Sequence, residues 1–185
     1  MDYAREVLAP ARRVARRLLE PRPGSTRTLP FGPASGIRFE ADAHLSLDYW
    51  LGLCESELAS SVRRFCQTGT RCVDVGAYNA YYALAFAKLT RERVVSYEPD
   101  PEAIARSQRN LALNPALAAL IDLRPVAVGA RPGPGVVTLD AELLPKAQET
   151  RSSPWLLKVD VEGAELDVLT GAAGFLALMR PHIIV

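Results

Sequence analysis

RCVDVGAYNAYYALAFAKLTRERVVSYEPDP, residues 71–101, is the stretch whose reading decides the fold. It opens on a short apolar run, Arg71 to Val75, that stops at Gly76. Asn79 to Leu89 is apolar nearly all round, which suits a buried helix. Arg93 to Tyr97 is a second strand and ends in Glu98-Pro99. Asp100 is a good N-cap and Pro101 takes the favoured first helical position. Strand, tight turn, helix and strand in this order make a βαβ unit with a parallel pair.

The same alternation continues downstream. The helix after Asp100 runs to about Leu113, where Asn114-Pro115 stops it. Ile121 to Val128 reads as a third strand, Gly129 to Gly135 as a turn-rich link, and Val136 to Leu139 as a short strand. Trp155 to Val161 reads as a fourth strand, Glu165 to Leu169 and Phe175 to Met179 as helical, and Pro181 to Val185 as the start of a fifth strand. Near-continuous apolar strands alternating with helices imply a doubly wound parallel α/β sheet, covered on both faces.

Upstream the pattern is looser. Residues 2–20 carry an apolar stripe at Tyr3, Val7, Ala11, Val14 and Leu18, among crowded arginines. Residues 21–36 hold four Pro and three Gly and read as a linker or irregular loop. Residues 37–53 begin like a strand, and Glu55 to Phe65 looks helical. The expected organisation is a basic helix and linker over 1–35 and a core over 36–185.

Composition bounds the function. The 185 residues carry 22 basic and 21 acidic side chains, a net charge of +1, which gives no general electrostatic case for nucleic acid. The charge is uneven: seven Arg stand against three acids in residues 1–30. Three Cys without C-x-x-C spacing argue against a disulfide framework or zinc site, and no cluster has metal-ligand spacing. No apolar run spans a membrane, and the basic N-terminus lacks the apolar stretch of a secretory signal, so the expected location is cytoplasmic.

In doubly wound sheets ligands bind beyond the carboxyl ends of the strands, where strand order reverses. Gly76 allows a tight turn there. Glu98 stands where an acid accepts ribose hydroxyls. Asp74, two residues before a lone glycine, departs from the G-x-G-x-x-G of nicotinamide enzymes. A carboxylate near the turn suits a cofactor with an ammonium end and repels a pyrophosphate. After the fourth strand come Asp160 and Glu162. Lys158 in a central strand is costly unless paired, and Asp74, Asp160 or Glu162 is its expected partner.

These residues resemble the FkbM-type methyltransferases. The matching stretches are Gly36-Ile37, Tyr49 to Glu55, Asp74 to Ala77 with Tyr81-Tyr82, Tyr97 to Pro101, Asn110 to Asn114, Leu157 to Glu165, and Arg180-Pro181. The resemblance implies the class I methyltransferase (Rossmann-like) fold and S-adenosylmethionine as cofactor. It also implies methyl transfer to a hydroxyl of a small molecule, a sugar or a polyketide. The cofactor contacts it implies are Glu55, Asp74, Gly76, Ala77, Tyr78, Glu98, Pro99, Ala127 and Asp160. Asp160 and Glu162 are the candidate catalytic bases, with His44 as a weaker one.

Three departures stand out. Tyr78 and Ala80 replace the Asn and second Gly of the family's turn, G-A-N-x-G. The stretch from Val126 to Trp155 looks compressed where the family shapes its acceptor pocket. The family sheet also has about two strands beyond the one at His182, so the chain reads as C-terminally truncated, with an open edge that admits a homodimer. The alternatives are a non-catalytic or degenerate cofactor-binding module and an NAD(P)-dependent oxidoreductase.

Overall fold

The computed structural model describes residues 22, 24–41, 47–51, 55, 57–147 and 152–185. The helix expected over 2–20, His44 and Cys54 lie outside the described residues. The framework is a five-stranded, all-parallel sheet built from β3 (Arg71–Val75), β4 (Val94–Tyr97), β5 (Ile121–Arg124), β8 (Trp155–Val159) and β9 (His182–Ile184). Their spatial order is β5-β4-β3-β8-β9. The chain winds outward from β3 through β4 to β5, then crosses back to lay β8 and β9 on the other side. The order therefore reverses between β3 and β8, and this is where the fold class places its ligand.

Helices cover both faces. On one face α3 (Tyr81–Thr90) is buried along almost its whole length, with α2 (Ala59–Phe65) beside it. On the other face α6 (Leu139–Ala147), α7 (Glu165–Thr170) and α8 (Ala173–Met179) enclose a second core around Val73, Tyr97, Leu157 and Phe175. The Asp140 carboxylate accepts hydrogen bonds from Gly174 N–H and Phe175 N–H, so it caps α8 from α6. The expected helix after Asp100 is α4 (Pro101–Ala112), and Asp100 caps it through the N–H groups of Glu102 and Ala103. A single turn, α5 (Pro115–Ala118), leads into β5. The short α1 (Leu47–Trp50) brings Tyr49 and Trp50 against the α3 face.

The structure differs from the sequence reading at three places. The Pro/Gly-rich segment contains β1 (Thr26–Thr28), which pairs antiparallel with β2 (Arg38–Glu40), and Leu29, Ala34 and Ile37 are buried in the core. The expected third strand, Ile121 to Val128, is cut in two. Pro125 has no N–H to continue the ladder. The chain resumes as β6 (Ala127–Val128), paired with β7 (Val136–Val137) in a separate two-stranded sheet. Between Val126 and Trp155, where no helix was expected, the chain forms α6, whose Leu139 and Leu143 are core residues.

The β1–β2 hairpin is held to the domain by side-chain amides. Asn114 accepts from Arg38 N–H and donates to Arg38 C=O, while Asn110 accepts from Glu40 N–H. These amides, one turn apart, give β2 the donors and acceptors of a neighbouring strand. An Arg109–Glu40 ion pair adds to the contact.

Candidate functional site

The site begins with how closely β3 and β8 approach beyond their last paired residues. Gly76 has φ +94, and a Cβ placed there would lie 2.0 Å from the Asp160 carbonyl oxygen. Only a residue without a side chain fits, for conformation and for space alike. Gly76 N–H and Ala77 N–H both donate to the Tyr97 carbonyl, at 2.9 and 3.0 Å, which ties the turn to the end of β4.

The turn is strained past the glycine as well. Tyr78 (φ 50) and Ala80 (φ 65) both occupy the left-handed region, which disfavours residues with a Cβ. These are the two positions where the resembled family carries Asn and Gly, the residues best suited to that conformation. Glu98 helps to hold the strained path. Its buried carboxylate accepts from Tyr78 N–H at 2.8 Å and from Asp100 N–H at 2.9 Å. The Tyr78 ring, 43% exposed, lies 5.0 Å from the Arg106 guanidinium.

Under the turn a polar row crosses three strands. Strand register sets Ser96, Asp74 and Lys158 side by side, and partners in a parallel ladder face the same way. Ser96 Oγ donates to Asp74 Oδ2 at 3.0 Å. Lys158 Nζ lies 3.9 Å from Asp74 Oδ1 and donates to Asp160 Oδ2 at 2.9 Å. The buried lysine thus finds the carboxylate partner expected of it, twice. The same ammonium sits 4.5 Å from the centre of the Tyr82 ring, a cation–π distance. Burial pushes the Asp74 carboxyl up from 3.8 to about 6, against the opposing pull of Lys158 and the Ser96 hydrogen bond.

A cleft of about 190 Å³ opens above this row. Gly76, Ala77, Tyr78, Glu55 and Asp160, all expected from the sequence, line it. Asp160 is 63% exposed there despite its bond to Lys158. Tyr82 Oη donates to Glu55, and Asn79 Nδ2 donates to Tyr49 Oη at 2.8 Å. Tyr49, Asn79, Tyr81, Tyr82 and Lys158 complete the lining and were not expected as site residues. The signal for them was present in the run Asn79 to Tyr82, where two adjacent tyrosines follow the turn.

The other expected residues lie apart from the lining. Asp74 is fully buried beneath the cleft and reaches it through Lys158. Pro99 is exposed beside Glu98, and Glu162 is exposed two residues past Asp160. Ala127 sits in β6, where its N–H donates to Gly135 C=O. Among the described residues no group of three or more His, Cys, Asp or Glu could hold a metal ion. No described helix is long and apolar enough to cross a membrane.

Three solved structures resemble the chain, and the first of them supports the fold. The Escherichia coli protein yhhF, assigned to the methyltransferases, aligns over 86% of this chain and 76% of its own, at 11% identity and a TM-score of 0.50. A Clostridium thermocellum protein assigned as an rRNA methylase aligns over 67% of this chain and 64% of its own (13% identity, TM-score 0.42). A Plasmodium falciparum protein assigned as a protein-L-isoaspartate O-methyltransferase, in complex with S-adenosyl-L-homocysteine, aligns over 72% and 57% (13% identity, TM-score 0.37). No curated protein matches the chain. The sequence resemblance meets a direct counterpart at the C-terminal end, where β6 to β9 follow the end of β5. Carried on a class I Rossmann-like α/β fold, residues 126–185 match the methyltransferase FkbM domain.

Proposed function

We propose that the chain is a methyltransferase that binds S-adenosylmethionine in the cleft between β3 and β8 and methylates a hydroxyl of a small molecule. The observation that carries this reading is the contact of Gly76 with the Asp160 carbonyl at the reversal of strand order. It brings a backbone turn, a strand-end carboxylate and an aromatic wall to one point.

The donors and acceptors fit such a cofactor. Glu98 uses one lone pair on each oxygen for Tyr78 N–H and Asp100 N–H. A carboxylate offers about four acceptor sites, so two remain for ribose hydroxyls. Glu55 and Asp160 supply negative charge for an ammonium. Tyr81 and Tyr82 give the cleft an aromatic wall beside the cofactor's sulfur. When bound, the cofactor supplies an electrophilic methyl group.

The protein's own share is placement and proton handling. The clamped turn and tyrosine wall fix the reactants, and alignment carries most of the acceleration in such displacements. Asp160 is the base that takes the hydroxyl proton, with Glu162 as the alternative; a positioned base contributes ~10²–10⁴-fold. Lys158 holds Asp160 in place through the 2.9 Å bond.

The test is calorimetric titration with S-adenosylhomocysteine, repeated on Glu98→Gln. Binding by the unaltered chain, weakened about tenfold by the substitution, is expected. A folded chain that shows no heat of binding would overturn the reading. Asp160→Asn should weaken product binding, since it removes one of the two charges facing the ammonium, and at saturating cofactor its turnover on a hydroxyl acceptor should fall by about 10²-fold.

A further inference from the structure

A second cavity lies along the face of the sheet that α6 covers. It measures about 110 Å³ and lies between the sheet and α6, with Arg71, Arg93, Arg124, Trp155, Asp122 and Glu142 in its walls. The two acids are already engaged: Arg124 donates to Asp122 Oδ2 at 2.8 Å and pairs with Glu142. Arg124 also lies 5.5 Å from the centre of the Tyr97 ring. Arg71 and Arg93 make no ion pair among the described residues.

Two independent features point to an absent acceptor within the protein's own atoms. First, the register Cys72↔Val94 sets Arg93 next to Arg71 one step upstream. Both side chains line the cavity and neither has an ion-pair partner among the described residues, so two uncompensated positive charges share it. Second, Arg71 Nε and Trp155 Nε1 are buried and have no hydrogen-bond partner among the described residues. Trp155 is only 7% exposed, its register partner on β3 is Arg71, and the Arg71 guanidinium lies 5.8 Å from the centre of its ring. Both orphan groups can only donate. An oxyanion answers both features, because it accepts hydrogen bonds and separates the two positive charges.

We propose that this cavity is an oxyanion site that takes a phosphate-like group on the guanidiniums of Arg71 and Arg93. It is enclosed between a helix and the sheet, so its occupant is a small ion or the phosphoryl group of a small molecule. It stands apart from the cleft at Gly76 and does not depend on methyl transfer.

The test follows the Trp155 indole N–H by NMR, with its signal identified by its loss in Trp155→Phe. Inorganic phosphate is added in one arm, glycerol phosphate in a second, and chloride at equal ionic strength in a third. A saturable shift in the phosphate arms and none with chloride is expected, with affinity about tenfold weaker in Arg71→Gln and in Arg93→Gln. Arg93 is exposed, so its substitution tests the site even if Arg71→Gln fails to fold. Tighter binding of the ester identifies a phosphoryl group as the source, and tighter binding of the ion identifies free phosphate. No saturable shift, an equal shift with chloride, or undiminished affinity in Arg93→Gln overturns the proposal. S-adenosylhomocysteine binding is measured on the same samples, so failure of either site is seen separately.

Discussion

Gly69 and Gly76 bracket β3 and share a backbone conformation, with φ +89 before the strand and +94 after it. Their surroundings are opposite. A Cβ at Gly69 would meet nothing within 4 Å, while one at Gly76 would run into the Asp160 carbonyl. Gly69 answers only to the chain's own geometry. Gly76 answers also to a neighbouring strand, and that second demand marks the end of the sheet where two backbones are pressed together beneath the cleft. The contrast extends to charge. At the carboxyl end Lys158 is surrounded by Asp74, Asp160 and an aromatic face; at the amino end Arg71 and Arg93 have no ion-pair partner among the described residues, the acids nearby being held by Arg124.

The largest effect that would probe this contrast belongs to Gly76→Ala. Combined steric overlap and left-handed strain should cost about 4 kcal/mol in urea unfolding and remove cofactor binding. A loss under about 1 kcal/mol would mean that the strand ends separate freely. Next comes Asp74→Asn, read as a function of pH. A carboxyl whose pKa rises on folding favours the folded chain while it is protonated. That contribution is complete below 3.8 and is lost as pH climbs through about 6. The stability difference between variant and unaltered chain should therefore shift in favour of Asn by about 2–3 kcal/mol between pH 4 and 7. A difference that stays flat would place the Asp74 charge in a far more polar setting than its burial implies.

Gly69→Ala sharpens the comparison from the other side. With strain and no overlap, its cost should be about 1 kcal/mol in the same unfolding assay, with S-adenosylhomocysteine affinity unchanged. The smallest effect is expected for Tyr78→Asn. It relieves a left-handed tyrosine but removes the contact with Arg106. The two changes nearly offset, so stability should move by less than about 1 kcal/mol. A large loss would show that the tyrosine ring, and not Glu98, holds the turn.

Much of this was legible in the sequence, for a specific reason. The strands around Asp74, Glu98 and Asp160 are apolar runs ended by small or acidic residues, and a parallel sheet puts all those ends at one edge. Asp100 and Pro101 announced α4 because capping is a local property. The hidden parts are those where a local signal pointed the wrong way. Prolines and glycines masked β1, although Leu29, Ala34 and Ile37 around it go into the core. Pro145 masked α6, although Leu139 and Leu143 lie one turn apart. The depth of Asp74 was hidden because burial follows from register with Ser96 and Lys158, and register belongs to strand pairs. The cleft's tyrosines escaped because aromatic residues in a buried helix read equally well as packing.

The amides of Asn110 and Asn114 reach back 70 and 76 residues to Glu40 and Arg38. A ribosome delivers the chain in one direction, at about 5–20 residues per second. The hairpin therefore leaves the exit tunnel roughly 4–15 seconds before the helix that clamps it. For that interval the outer rim of β2 offers its polar groups to whatever the nascent chain meets first. Those two asparagines arrive well after the segment whose polar groups they satisfy.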